Sequence, residues 1–183
     1  MKTMLTVAAL TLAALSAVGR QQVAIDRIVP TLDQLGPGWT SNRVAILVDP
    51  LSSPSLVTNV NEGPGWLKIA QSAVGKDGRE AYAVLRYYQG SNSVLVWINR
   101  FKSKGDIPSD WGTDKNTEVT PGKLPNVGEQ VRFYQRHGMH NDIAFRRGTY
   151  LLTVEGMGAP IEKLKQLAAV LDGNLRRASA KQP

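Results

Sequence analysis

The sequence predicts a single α+β domain, in which a mostly antiparallel β-sheet of about five to seven strands is packed by N- and C-terminal helices. Two observations predict the sheet: residues 80–101 and 129–155 contain short runs of β-branched and aromatic side chains separated by turn residues. A third predicts the last helix, because apolar residues between positions 160 and 178 recur at steps of three and four.

The first 19 residues have the layout of a cleavable secretory signal peptide. Lys2 is followed by an uncharged stretch that ends in small residues at Ala17 and Gly19. Its apolar core of about 15 residues is shorter than the ~20 needed to cross a bilayer. We therefore expect an exported protein, periplasmic or extracellular, with no transmembrane segment after cleavage, a domain at residues 20–178 and a disordered tail at 179–183.

Composition limits the chemistry and the partners. The chain has no cysteine, which excludes disulfides and thiolate metal sites, and its net charge is +7. A basic exported protein is attracted to anionic surfaces. The basic residues are spread along the chain without a run of five, so no specific nucleic-acid binding is expected. A cell-envelope polymer or a partner protein is the candidate partner, and no cofactor is predicted.

The N-terminal third has helix and strand signals interrupted by proline and glycine. Residues 21–35 have helical periodicity, with Pro30 expected to kink the helix or to begin a shorter one, and GPGW at 36–39 ends it. Residues 43–48 are predicted to form a first strand and residues 56–60 a second short one. A helix is predicted at residues 66–74, between Gly65 and Gly75.

The clearest hairpin joins residues 80–88 to residues 94–101. An even-numbered loop would place Arg86 opposite Trp97, within range of a cation–π contact. One face would be an ordinary core face, made of Ala83, Leu85, Tyr87, Val94, Val96 and Ile98. The other would be aromatic, made of Tyr82, Val84, Arg86, Tyr88, Leu95, Trp97 and Phe101.

The second half is predicted to form a long loop, three strands and a helix. Residues 102–126 are polar and proline-rich, and are expected to form a loop with one helical turn near Trp111. Strands are predicted at 129–136, 143–146 and 149–155, with HGMHND as one turn and Arg147–Gly148 as the next. Pro160 fits the start of the last helix. Its buried stripe would be Ile161, Leu164, Leu167, Ala168, Leu171 and Leu175.

Three sets of residues are candidates for a functional site. The aromatic group Tyr82, Arg86, Tyr88, Trp97 and Phe101 could stack on sugar rings or hold a peptide, unless a helix covers that face. The arginines Arg132, Arg136, Arg146 and Arg147 would bind an anion if the C-terminal strands bring them together, although solvated strand edges look the same. His137, His140 and Asp142 could ligate a metal, or form an ordinary polar turn.

Four segments of the chain, LDQLGPGW, VGEQVRFYQ, IAFRRGTYLLTVEG and IEKLKQLAAVL, follow one another in a familiar order. They resemble a pattern found in small exported bacterial proteins and lipoproteins of unknown function, which is similar in outline to the PsbP/Mog1-like sandwich. The resemblance implies an antiparallel sheet flanked by helices and a cell-envelope location. It implies no catalytic residue, and this chain lacks the lipidated cysteine of the lipoproteins.

The sequence thus favours an exported, non-enzymatic binding or accessory protein of the bacterial cell envelope. The alternative is an envelope hydrolase or a metal-dependent enzyme that uses His137, His140 and Asp142. No G-x-S-x-G elbow or S-x-x-K motif is present, and the two histidines of the chain share one predicted turn. Nucleophilic catalysis therefore has few residues to draw on.

Overall fold

The computed structural model describes residues 22–52, 71–111, 117–136 and 140–181, without the side chains of 42–47, 117–121, 136 and 140. The predicted signal peptide, the predicted strand at 56–60 and most of the predicted helix at 66–74 lie outside these residues. Within them, one antiparallel sheet of seven strands packs against a C-terminal helix, which confirms the α+β fold. No helix in the described part of the chain is long and apolar enough to span a membrane.

Every strand of the sheet is antiparallel to its neighbours. The strands are β1 (Trp39–Val48), β2 (Arg79–Gln89), β3 (Asn92–Phe101), β4 (Thr117–Leu124), β5 (Val127–Arg136), β6 (His140–Arg147) and β7 (Tyr150–Met157). Their spatial order is β1-β2-β3-β7-β6-β5-β4, so β7 joins an N-terminal and a C-terminal half.

The two predicted hairpins form, each with a two-residue turn. Gln89 pairs with Asn92 across Gly90 and Ser91, and Arg147 pairs with Tyr150 across Gly148 and Thr149. The prediction that Arg147 belongs to the second turn is therefore wrong. Gly148 has φ 59°, a left-handed conformation that glycine adopts without strain and arginine does not favour.

Strand β4 is a correction to the sequence prediction, which gave residues 102–126 as one loop. Pro121 and Gly122 lie inside β4 and discourage a strand assignment, but β4 is at the edge of the sheet, where proline is tolerated. The ring of Phe133 on β5 lies so close over Gly122 that a side chain there would overlap it. Residues 104–106 form a 3-10 turn, and β6 starts at His140, inside the predicted HGMHND turn.

One face of the sheet, here called the inner face, packs against the C-terminal helix α2 (Ile161–Ala180) and the N-terminal segment. The predicted stripe of α2 is confirmed as buried except at Ile161, which is partly buried. The helix continues through Ser179 and Ala180, which the sequence assigned to a disordered tail. Of the two alternatives predicted for residues 21–35, the shorter helix after Pro30 is the one that forms, as α1 (Leu32–Leu35), and a 3-10 turn at Ile25–Arg27 precedes it. Pro30 lies between them and separates the two pieces.

A buried ion pair fixes the N-terminal segment to the inner face. Arg100 Nη2 lies 2.8 Å from Asp49 Oδ1, and both side chains are almost completely buried. Asp49 also accepts hydrogen bonds from the Ile25 amide at 2.7 Å and the Ser52 hydroxyl at 2.7 Å. The carbonyl of Val23 accepts from Arg100 at 3.1 Å and from Tyr150 at 2.5 Å.

A second buried carboxylate fixes α2 to the strands. Asp172 has no exposed side-chain surface and accepts two hydrogen bonds from Arg147, at 2.6 and 3.1 Å. It also accepts from the Gly128 amide at 3.1 Å and lies 3.1 Å from Arg176 Nε. Arg147 therefore connects the end of β6 to the helix on the inner face, and it is not a surface residue of a turn.

Candidate functional site

The opposite face of the sheet, here called the outer face, has two separate apolar clusters. The edge cluster consists of Tyr82, Val84 and Leu95, with Val48, Val74 and Trp97 partly buried against it. The loop cluster joins two side chains of residues 104–111 to four side chains of the strands. It consists of Ile107, Trp111, Phe101, Tyr134, Ala144 and Leu151. Much of the outer face is thus covered, although no long helix among the described residues packs there.

Between these clusters lies a half-buried strip, here called the central strip, formed by Trp97, Thr153 and Glu155. Trp97 is directly opposite Thr153 in the β3–β7 ladder, and Glu155 is opposite Leu95. The indole Nε1 of Trp97 donates a hydrogen bond to Glu155 Oε2 at 3.2 Å. The strip therefore offers an indole surface beside a carboxylate whose position the indole helps to fix.

The structure divides the predicted aromatic site. Phe101 is completely buried in the loop cluster, whereas Tyr82 is 7% exposed in the edge cluster. Tyr82 and Trp97 remain in contact, with ring centroids 6.1 Å apart and an interplanar angle of 57°. Arg86 and Tyr88 are half-buried on the same face of β2. The expected pairing of Arg86 with Trp97 is wrong, because the register places Leu95 opposite Arg86 and Val84 opposite Trp97.

Arg79 contacts both Tyr82 and Phe101, two members of the predicted aromatic site that belong to different clusters. Its guanidinium carbon lies 5.8 Å from the ring centroid of Tyr82 and 5.5 Å from that of Phe101. Burial raises the pKa of Tyr82 to about 12, against the opposing charge of Arg79, so the phenol is neutral at physiological pH. Sequence reasoning missed Arg79 because a bulge between Arg79 and Ala81 breaks the alternation of the strand.

The four arginines predicted to bind an anion do not form one cluster. Arg147 lies on the inner face with Asp172, and the side chain of Arg136 lies outside the described residues. Arg132 stacks 4.3 Å from the Trp111 ring and donates to the carbonyls of Trp111 and Ser109, each at 3.1 Å. Arg146 is half-buried and forms no ion pair with another described residue. Arg132 thus holds the 104–111 loop against the sheet.

The predicted metal site is only partly described. Asp142 is 2% exposed on β6, directly opposite Glu155, and His140 pairs with Met157. His137 lies outside the described residues, as does the side chain of His140. Among the described side chains, no group of three histidine or carboxylate residues is placed to hold a metal ion. The metal hypothesis therefore stays a prediction.

Sequence reasoning did not single out Glu155 as a site residue. The signal was available in the segment TYLLTVE, where Thr153 and Glu155 alternate with buried Leu152 and Val154. A carboxylate at the end of such a polar alternation points to the same face as the threonine. The sequence alone does not show that Glu155 lies beside Trp97, because β3 and β7 pair residues that are far apart in the chain.

Comparison with protein families gave no match, and neither did comparison with curated protein sequences. Among solved structures, the chain is similar to the extracellular domain of PknH from Mycobacterium tuberculosis. The TM-score is 0.50 at 12% sequence identity, and the alignment covers 87% of this chain and 100% of that domain. At this identity, the likeness shows a shared fold.

Proposed function

We propose that the chain is an exported, non-enzymatic binding protein of the bacterial cell envelope, with the central strip as its contact surface. The observation that carries the proposal is the position of Trp97, half-buried against the edge cluster with its Nε1 bonded to Glu155. Because Trp97 is only partly buried, part of its indole surface remains accessible to a ligand. A fully buried tryptophan such as Trp111 offers none.

The location rests on three supports. The first is the signal-like pattern of residues 1–19, and the second is the resemblance to small exported bacterial proteins. The third is a shared fold with a domain described as extracellular. Without Lys2 of the predicted signal peptide the chain has 21 basic and 15 acidic residues, and this net charge of +6 would draw the protein towards the anionic polymers of an envelope.

The chemistry of the central strip favours a sugar-containing ligand. A pyranose ring presents an apolar surface that can stack on the indole of Trp97, while its hydroxyl groups can donate to Glu155. Arg86 and Tyr88, half-buried on the same face, would contact the flanks of such a ligand. Peptidoglycan fragments combine such sugars with peptides and belong to the bacterial cell envelope, so they are the ligands to test first.

Replacing Trp97 with alanine is expected to weaken binding of soluble peptidoglycan fragments about tenfold or more, because stacking area and the orientation of Glu155 are lost together. Isothermal titration calorimetry with fragments released by a muramidase measures this effect. Trp97→Phe keeps a ring and is expected to retain most of the affinity.

Trp39→Phe is the matched control, because Trp39 is 8% exposed and belongs to the main core. It changes one indole away from the central strip and should leave the affinity unchanged. Equal affinity of Trp97→Ala and the unsubstituted protein would contradict the proposal. If Trp97→Ala does not fold, the Glu155→Gln variant tests the same strip without removing apolar contact.

A further inference from the structure

We propose a second binding site, for a phosphate group, in a cavity where the C-terminal end of α2 meets the N-terminal segment. The cavity has a volume of about 390 Å³. Five described residues line it, of which three are cationic and none is acidic: Arg27, Asn174, Arg177, Ala178 and Lys181. This site is separate from the central strip and does not depend on the function proposed for it.

The polar floor of the cavity is built from buried groups. Asn174 is 6% exposed, and its amide nitrogen donates to the carbonyl of Ile28 at 3.0 Å and to Gln34 at 3.1 Å. Its oxygen accepts from Gln34 at 2.8 Å and from Arg177 Nη2 at 2.5 Å. Asn174 thus fixes both the wall formed by the N-terminal segment and the position of one guanidinium.

The guanidinium of Arg177 folds back along its own helix. Its Nη1 lies 3.4 Å from the position that a side-chain carbon on Gly173 would occupy, so the guanidinium lies over Gly173 at ordinary contact distance. A held arginine loses little freedom on binding, and its planar fork suits a phosphate.

All three cations of the cavity, Arg27, Arg177 and Lys181, are exposed. Neither Arg27 nor Lys181 forms an ion pair with another residue that the structure describes. Cations at a helix C-terminus interact favourably with the helix dipole, which accounts for Arg177 and Lys181 on structural grounds. Arg27 comes from the 3-10 turn at Ile25–Arg27, so the cations that line the cavity come from two separate elements of the fold.

A phosphate group fits this arrangement better than a carboxylate does. Its oxygens can accept from three cations at once, whereas a carboxylate has two oxygens to share among them. The cavity is much larger than a bare ion, so the phosphate would carry a substituent. A soluble phosphate ester and the headgroup of an anionic phospholipid share this chemistry.

The test is an NMR titration of the protein with inorganic phosphate and with glycerol phosphate. We expect saturable shifts of the Ala178 amide and of the arginine Nε–H signals of Arg27 and Arg177. The double variant Arg27→Gln/Lys181→Gln should bind about tenfold more weakly, because two charge-assisted contacts are lost. Lys181→Gln alone, with the 3-10 turn untouched, should show a smaller loss in the same direction.

The control is the double variant Lys102→Gln/Lys163→Gln, which has the same net charge as the test variant. Lys102 follows β3, and Lys163 lies in α2 about 27 Å along the helix from Lys181. Its affinity for phosphate should be unchanged. Chemical shifts that do not saturate would overturn the proposal. An equal loss of phosphate affinity in both double variants would also overturn it, because it would mean that net charge alone attracts the phosphate.

Vesicles distinguish the two sources of phosphate. Sedimentation with phosphatidylglycerol vesicles that is weakened only by Arg27→Gln/Lys181→Gln would identify a lipid headgroup as the ligand. Saturable binding of glycerol phosphate without sedimentation would identify a soluble ester. Failure of both assays overturns this site but leaves the central strip untested by them, so the two proposals fail independently.

Discussion

Replacing Asp49 with alanine is expected to lower the free energy of unfolding by about 3–5 kcal/mol, because removing one partner of a buried ion pair leaves the other without compensation. Arg100 would remain in an almost fully buried position, with Glu80 Oε2 3.8 Å from its Nε. The amide of Ile25 would also lose its acceptor. Urea denaturation followed by circular dichroism measures the loss.

The control for this prediction is Asp33→Ala, which removes an exposed carboxylate in α1 and should change stability by about 0.5 kcal/mol or less. The double variant Asp49→Leu/Arg100→Met removes both charges and should be more stable than Asp49→Ala. A loss below about 1 kcal/mol for Asp49→Ala would mean that the ion pair does not hold the N-terminal segment.

The same carboxylate gives the stability a dependence on pH. Burial alone would raise the pKa of Asp49, but hydrogen bonds from Ile25, Leu51 and Ser52 and the charge of Arg100 outweigh it and lower the pKa below its usual value. A lowered pKa in the folded state stabilises the protein above the unfolded pKa, and this contribution is lost as the pH falls through the folded pKa. Below about pH 4, stability should therefore fall more steeply in the unsubstituted protein than in Asp49→Ala.

Replacing Asp172 with alanine is expected to cost about 2–4 kcal/mol of folding free energy. Its carboxylate is fully buried and accepts from Arg147 and from the Gly128 amide, so its removal leaves a half-buried guanidinium and a backbone donor without their acceptor. The contact between α2 and the β5–β7 end of the sheet should loosen. Thermal unfolding and amide exchange of Gly128 measure the two effects.

Arg176→Ala is the matched variant for Asp172. Arg176 is half exposed and contacts the same carboxylate, so solvent screening limits its contribution to about 1 kcal/mol or less. Arg147→Ala should cost more than Arg176→Ala, because Arg147 makes two hydrogen bonds to Asp172. Equal costs for the two arginines would contradict the assignment of Arg147 as the link between strand and helix.

The helix and strands that the sequence predicted correctly are those in which apolar residues recur at a regular interval. The apolar stripe of α2 and the alternation in β2, β3, β6 and β7 follow from side-chain burial on one face, so the face of each residue could be predicted. The register of the two hairpins could not, and both predicted pairings are wrong. Strand β4 could not, since proline and glycine in an edge strand have the same local signature as a loop. Its pairing partner β5 is what makes it a strand.

The sites were less predictable because their neighbours come from distant segments. Sequence alone placed Arg132, Arg136, Arg146 and Arg147 in one group, whereas strand alternation sends Arg146 and Arg147 to opposite faces. The cavity for which we propose a phosphate lies between the 3-10 turn at Ile25–Arg27 and the end of α2. These two segments are far apart in the sequence, so no local pattern shows that they meet. Buried carboxylates such as Asp172 also bind arginines within the fold, which makes those arginines less available to a ligand.

The most direct test of the central claim is acrylamide quenching of tryptophan fluorescence, with and without soluble peptidoglycan fragments. The difference between the unsubstituted protein and Trp97→Phe reports on Trp97, and Trp39→Phe serves as the buried reference. We predict that Trp97 is quenched in the free, folded protein and is protected when the fragments bind. A Trp97 that resists quenching without ligand, or that is quenched equally with and without the fragments, would contradict the account.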